Sequence, residues 1–142
     1  MSLKQFKNTP NGLIEIPIDW EREDLILELK EIRDMHWGKG ALLPSEFGEN
    51  IRIQTNVEAV ANLTGCVTIL RSNPQKTVSW GLGGGKSIEL GLSQIEAVGL
   101  IQFIHIQSVR SRYDDLYAEI LESKDFESRR LIAAKMSDGW PP

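Results

Sequence analysis

VSWGLGGGKSIELGLSQIEAVGLIQFIHIQSVRSRYDDLYAEILES, residues 78–123, decides how this chain is read. Val78, Trp80, Ile88, Leu90 and Leu92 alternate with small or polar residues. That is the period of a half-buried strand. The spacing predicts strands over 77–80 and 86–92, joined through a run of glycines that supply the positive φ of a tight turn. The same glycines, Gly81 to Ser87, imitate a phosphate-binding loop. Such a loop needs Gly, four residues and then Gly-Lys-Ser/Thr, so that backbone N–H groups and the lysine wrap the phosphates. Counting back from Gly85, Lys86 and Ser87, the first glycine should stand at position 80, which is Trp80. A phosphate loop also opens a helix, whereas here a strand pattern follows. The segment reads as a hairpin and not as a nucleotide site.

From Ser93 the pattern becomes helical. Ser93 and Glu96 form an S-x-x-E capping box. Between Ile95 and Ile106 apolar residues fall on nearly every side, which predicts a segment buried all round. Beyond it the apolar set narrows to Ile106, Val109, Tyr113, Leu116 and Ile120, a 3-4-3-4 seam of coiled-coil type. Read backwards, the register meets Gln102 and Gly99. A thin helical domain buries little by itself, so this seam is expected to meet a second copy of the chain or a fibre protein. Packing on the chain's own first and second helices is the alternative.

Working outward, Thr55 and Glu58 form a T-x-x-E box ahead of a helix that Asn73 and Pro74 stop. Val57, Val60, Ala61, Thr64, Val67 and Leu70 are its expected buried face. Before it, residues 41–50 make a loop or loose hairpin, and 51–54 a short strand. The first helix is expected to start at an Asp19 cap and run to about Trp37, burying Leu25, Leu29, Ile32 and His36, with Gly38 and Gly40 ending it. Residues 1–20 form an extended N-terminal arm with a turn at 8–12 and strand alternation over 13–18. Residues 21–142 form the main domain, closed by a helix over 126–136 and a terminal Gly-Trp-Pro-Pro. The fold class expected is α+β, mainly helical, with three to four helices and a small antiparallel hairpin.

The composition is that of an ordinary globular domain, with 41% hydrophobic and 25% charged residues among 142. A formal net charge of −4 argues against a general nucleic-acid binder. No apolar run approaches the roughly 18 residues of a membrane span, and no signal peptide is expected. A single cysteine, Cys66, rules out an intrachain disulfide. It reads as a small buried hydrophobe of a protein made in a reducing compartment.

Candidate chemistry is thin. The only histidines, His36 and His105, stand on separate helices without metal-ligand spacing. His36 suits a helix C-terminus, and His105 reads as a polar interruption of an apolar helix. Asp114, Asp115, Glu119 and Glu122 crowd one helix with Arg110 available for an i,i+4 pair, the pattern of a solvated face. No nucleophile elbow surrounds Ser79, Ser87 or Ser93. The expectation is therefore no enzyme, no catalytic residue, no cofactor and no metal. Trp20, Trp37, Trp80 and Trp140 all fall at element ends. Trp140 is added to Ile106, Val109, Tyr113, Leu116 and Ile120 as a candidate protein-interface residue.

The order of these elements, with Thr55 opening the middle helix, Trp80, the turn Gly83 to Gly85, Ile88, Leu90, Leu92, Ser93, Tyr113 and the closing Gly139, Trp140 and Pro141, resembles a domain of unknown function found in phage and prophage tail proteins, including tail-fibre assembly proteins. The resemblance covers about residues 25–142. The glycine turn is longer here, and the arm has no counterpart. The resemblance implies a bacteriophage tail protein: a tail-fibre assembly chaperone, or a structural component of the fibre or baseplate. Its partners would be a tail-fibre or baseplate protein and further copies of itself, with no nucleic acid and no membrane. It would reside in the virion tail, or in the host cytoplasm during assembly. The alternative is a non-enzymatic intracellular protein-binding module of cellular origin.

Overall fold

A computed structural model describes residues 5–16, 21–83 and 85–142. The architecture is α+β and mainly helical, and four helices take up more than half of the described residues. Strands β1 (Gln5–Thr9) and β2 (Gly12–Ile16) pair antiparallel, so the strand partner within the arm is the arm itself. Helix α1 (Arg22–Gly38) follows, then β3 (Ala41–Leu42), a 3-10 turn (Ser45–Phe47) and β4 (Arg52–Ile53). Helix α2 (Val57–Ser72) leads to the hairpin of β5 (Val78–Gly83) and β6 (Lys86–Leu90). The 31-residue α3 (Leu92–Glu122) and the short α4 (Phe126–Lys135) complete the chain.

The hairpin is where the strand period placed it, with Trp80 opposite Ile88 and Gly81 opposite Ser87. Lys86 and Ser87 therefore stand in an antiparallel strand, not at a helix N-terminus. Titration with ATP or GTP and Mg²⁺ is expected to give no saturable signal. Tight binding lost in Lys86→Ala would overturn that expectation.

The helix starts are not those the capping boxes announce. Asn56, not Thr55, caps α2, its side-chain oxygen accepting from the Ala59 N–H at 2.8 Å. Helix α3 begins at Leu92, with Gly91 at its cap and the Gly91 N–H donating to Gln94 Oε1 at 3.0 Å, so Ser93 and Glu96 form no box. For α1 the cap is Glu21, and Asp19 lies outside the described residues. The α2 face is rotated as well. Ala59, Leu63 and Leu70 are buried, while Val57, Ala61 and Thr64 are exposed and Val60 half-exposed. Two apolar sets compete on α2, and Leu63 wins because α3 comes close at Gly99, where an added Cβ would stand 3.2 Å from Leu63 Cδ2.

Helix α3 is the axis of the domain. Its N-terminal half closes one core with Leu63 and Leu70 of α2, Ala41 and Ile53 of the small ladder, Phe47, and Leu90 of the hairpin. Its C-terminal half closes a second core with Leu25 and Leu29 of α1 and Ile132 and Met136 near α4. The buried positions of α3 are Ile95, Val98, Gln102, His105, Val109, Leu116 and Ile120. These lie on one face, so the first half is not buried all round: Leu100, Phe103 and Ile104 are each more than half exposed. The uninterrupted apolar run misleads because, among the described residues, α3 has neighbours on its inner side only.

Candidate functional site: a polar layer and an apolar groove at the middle of the long helix

Between the two cores, α3 buries two polar side chains. Gln102 donates from Nε2 to the Gln54 carbonyl at 2.8 Å. His105 Nε2 lies 2.9 Å from the His36 carbonyl. A carbonyl only accepts, so Nε2 carries the hydrogen. Thr55 and Trp37 interlock beside them: the Thr55 hydroxyl donates to the Trp37 carbonyl at 2.7 Å, and the Trp37 indole donates to the Thr55 carbonyl at 3.2 Å. The end of α1 and the segment before α2 are thus fastened to one turn of α3 by two hydrogen bonds and to each other by two more. A buried donor left without a partner is costly, so this layer fixes the register of the three helices.

The chain's last residues lie against the same layer. Trp140 stacks on His36, with ring centroids 5.0 Å apart and planes 7° from parallel, and its indole donates to the Met136 carbonyl at 2.8 Å. Lys39 Nζ donates to the Pro141 carbonyl at 2.8 Å. Arg52 donates to the Gly40 carbonyl at 3.1 Å and the Pro142 oxygen at 3.4 Å. Arg112 grips the approach, donating to the carbonyls of Asp138 and Lys135. Gly139, at φ +81, permits the turn from Asp138 to Trp140.

The layer is cationic. Burial first, then Lys39 and His105, hold His36 below the usual imidazole range. For His105 burial dominates, the bond to the His36 carbonyl pulls the other way, and Lys39 and Arg52 lower it further. Both shifts favour neutral imidazole in the fold, so below about pH 6.5 the unfolded chain binds more protons. Stability is expected to be complete above that pH and to fall as pH drops towards the two folded-state pKa values. Urea midpoints at pH 7.5 and 5.0 check this. The double variant His36→Gln, His105→Gln should flatten the difference. An unchanged slope would mean that other groups cause it.

The two histidines, read as unrelated, are therefore neighbours. Among the described residues no carboxylate joins them, and the cations Lys39 and Arg52 stand close by. Among the described residues no group of three or more His, Cys, Asp or Glu side chains is placed to hold a metal ion.

Beside the layer lies an apolar groove of about 540 Å³, lined by Trp37, Thr55, Asn56, Val57, Val60, Ala61 and Ile106. It exists because α2 turns Leu63 inward and leaves Val57 and Ala61 outside. Val57 is 88% exposed, the most exposed large apolar side chain among the described residues.

The candidate interface residues divide. Val109, Leu116 and Ile120 have no exposed surface and pack inside this chain, Leu116 and Ile120 against its own α1 and α4, so they offer a partner nothing. The seam runs inward because Leu25 and Leu29 of α1 present a matching apolar face. Tyr113 is half-buried under Arg33, whose guanidinium sits 4.6 Å from its ring centroid. Trp140 is half-buried on His36. Ile106 alone of the six reaches the groove. The expected Arg110–Asp114 bond is not formed; Glu119 pairs instead with Lys135 of α4 at 2.7 Å. The backward register through Gln102 continues not to Gly99 but through His105, Val98 and Ile95, which extend the Val109, Leu116, Ile120 face at heptad spacing. For the role of Trp37 and Thr55 nothing local in the sequence gave notice.

Residues 21–135 match the family model of a domain of unknown function, DUF4376. The chain belongs to that family. No curated protein and no solved structure matches it. The DUF4376 match begins at the residue before α1 and ends with α4, so it holds the first core, the second core apart from Met136, the polar layer and the groove but not the β1–β2 hairpin or the Trp140 segment. Among the described residues no helix is long and apolar enough to cross a membrane.

Proposed function

We propose that this DUF4376 protein is a bacteriophage tail protein that works by binding other proteins, as a tail-fibre assembly chaperone or as a component of the fibre or baseplate. The observation that carries the binding role is the apolar groove at Trp37, Val57, Val60 and Ile106. Such a surface costs free energy in water and is stabilised under a partner's apolar side chains. Trp37 suits the anchor position: its indole nitrogen is already bonded to Thr55, which leaves its ring to be covered. The tail assignment is supported by the resemblance of residues 25–142 to the tail-associated domain. The partner in this reading is a tail-fibre or baseplate protein, and the place of action is the virion tail or the host cytoplasm during assembly.

The test is mass spectrometry of gradient-purified virions, with electron microscopy of particles made without the gene. Presence in virions marks a permanent component. Absence from virions, with fibreless particles in the deletion, marks a chaperone. Absence from virions with normal particles in the deletion sinks the reading. A Val57→Glu, Val60→Glu variant should stay folded, because both positions keep solvent access, and should reproduce the deletion.

A further inference from the structure

The outer face of α3 carries a second surface, separate from the groove. Phe103, Gln107, Arg110, Asp114, Ala118 and Leu121 recur at 4-3-4-4-3 spacing and all are exposed. Phe103 and Leu121, at its two ends, are 58% and 51% exposed. Among the described residues no other element covers this stripe. Leu100 and Ile104 widen its N-terminal end.

The stripe is complementary to itself when reversed. Positions equally distant from residue 112 match: Phe103 with Leu121, and Arg110 with Asp114. Gln107 falls beside Ala118. Arg110 and Asp114 make no bond with one another or with any other side chain among the described residues, so both charges are available to a second chain. We propose that a second copy docks here, the two α3 helices antiparallel across a two-fold axis level with Arg112. Phe103 of each copy covers Leu121 of the other, and two Arg110–Asp114 pairs set the register between them. A two-fold interface requires such self-matching of one patch. A parallel pairing would instead set Arg110 against Arg110 and Asp114 against Asp114, which like-charge repulsion disfavours.

From Phe103 to Leu121 the strip is about 27 Å long at 1.5 Å per residue. That falls short of the roughly 800 Å² per partner of a standard interface, so a dimer dissociating at micromolar concentration is expected. The exposed ion pairs contribute orientation more than affinity. The pairing is independent of any role in tails, and it is tested on the purified chain alone.

Sedimentation velocity from roughly 1 to 500 µM, the range that brackets micromolar dissociation, is run on the wild type, Arg110→Asp and Asp114→Arg. Circular dichroism confirms that each is folded. The wild type should dimerise. Each variant alone should weaken dimerisation by about tenfold or more, because it sets like charges opposite each other. Mixed in equal amounts, the two variants should form a heterodimer at least as tight as the wild type, because every facing pair is again opposite in sign. A wild type that stays monomeric throughout overturns the proposal, as do single variants that dimerise normally or a mixture that does not recover.

Discussion

Leu116→Asp is expected to unfold the protein rather than to dissociate it. Leu116 has no exposed surface and sits among Leu25, Leu29, Ile120, Ile132 and Met136. Truncating such a side chain costs about 2–5 kcal/mol in lost burial and cavity formation. A carboxylate placed there adds several kcal/mol more, because no cation of the second core stands ready to pair with it. Domains of this size hold about 5–15 kcal/mol in all, so the variant should show little native helix signal at 25 °C. Ile69→Asp is the control: Ile69 is 58% exposed, and a change there should move the unfolding midpoint by about 0.5 kcal/mol or less. Circular dichroism with light scattering separates the outcomes. A Leu116→Asp chain that kept its helices and only lost mass would make the seam an intermolecular interface, and the internal packing described above would be wrong.

That seam shows how far the sequence could be read. Period alone picked out Ile106, Val109, Tyr113, Leu116 and Ile120 as one apolar seam, of which Val109, Leu116 and Ile120 are fully buried, and it located the hairpin and the helix stop at Asn73 and Pro74. These features are set by near neighbours in sequence, through steric and hydrogen-bonding rules that act over a few residues. What covers a face is set by distant ones. Leu25 and Leu29 occupy the seam although some 90 residues separate them from it. The α2 helix makes the same point in reverse. Val57, Val60 and Ala61 form as regular a stripe as Ala59, Leu63 and Leu70, and only the close approach of α3 at Gly99 decides between them. The stripe that lost became the groove.

The polar layer was least legible, because each of its members has an adequate local explanation. Thr55 fits a capping residue, His36 fits a helix end and His105 fits an interruption. Their bonds run to backbone carbonyls 18 and 69 positions away. A carbonyl is present at every residue, so no residue type marks the acceptor. The family match contains all of these donors yet ends before Trp140, whose ring covers His36. The Trp140 segment shields a layer whose four hydrogen bonds are made without it.

Gly40→Ala is expected to have the second largest effect, and its cause is backbone geometry. Gly40 takes φ +77, a left-handed conformation that costs a residue with a Cβ about 1–3 kcal/mol. A Cβ there would also stand 2.5 Å from the Ile53 carbonyl oxygen and 3.1 Å from its carbon, both backbone atoms with little room to yield. To relieve the contact, β3 and β4 must part at the Ala41–Ile53 pair, and both of those residues are buried in the first core. Arg52 would lose its bond to the Gly40 carbonyl in the same movement. The loss should exceed about 3 kcal/mol, strain and displaced core together, and should appear as a large drop in urea midpoint. Gly65→Ala provides the opposite sign. Gly65 lies in the middle of α2 with nothing within 4 Å of its would-be Cβ. Alanine there adds about 1 kcal/mol by restricting the unfolded chain and favouring helix. A general sensitivity to altered glycines would move both midpoints downward; opposite shifts show that the collision with Ile53 and the φ of Gly40 are responsible.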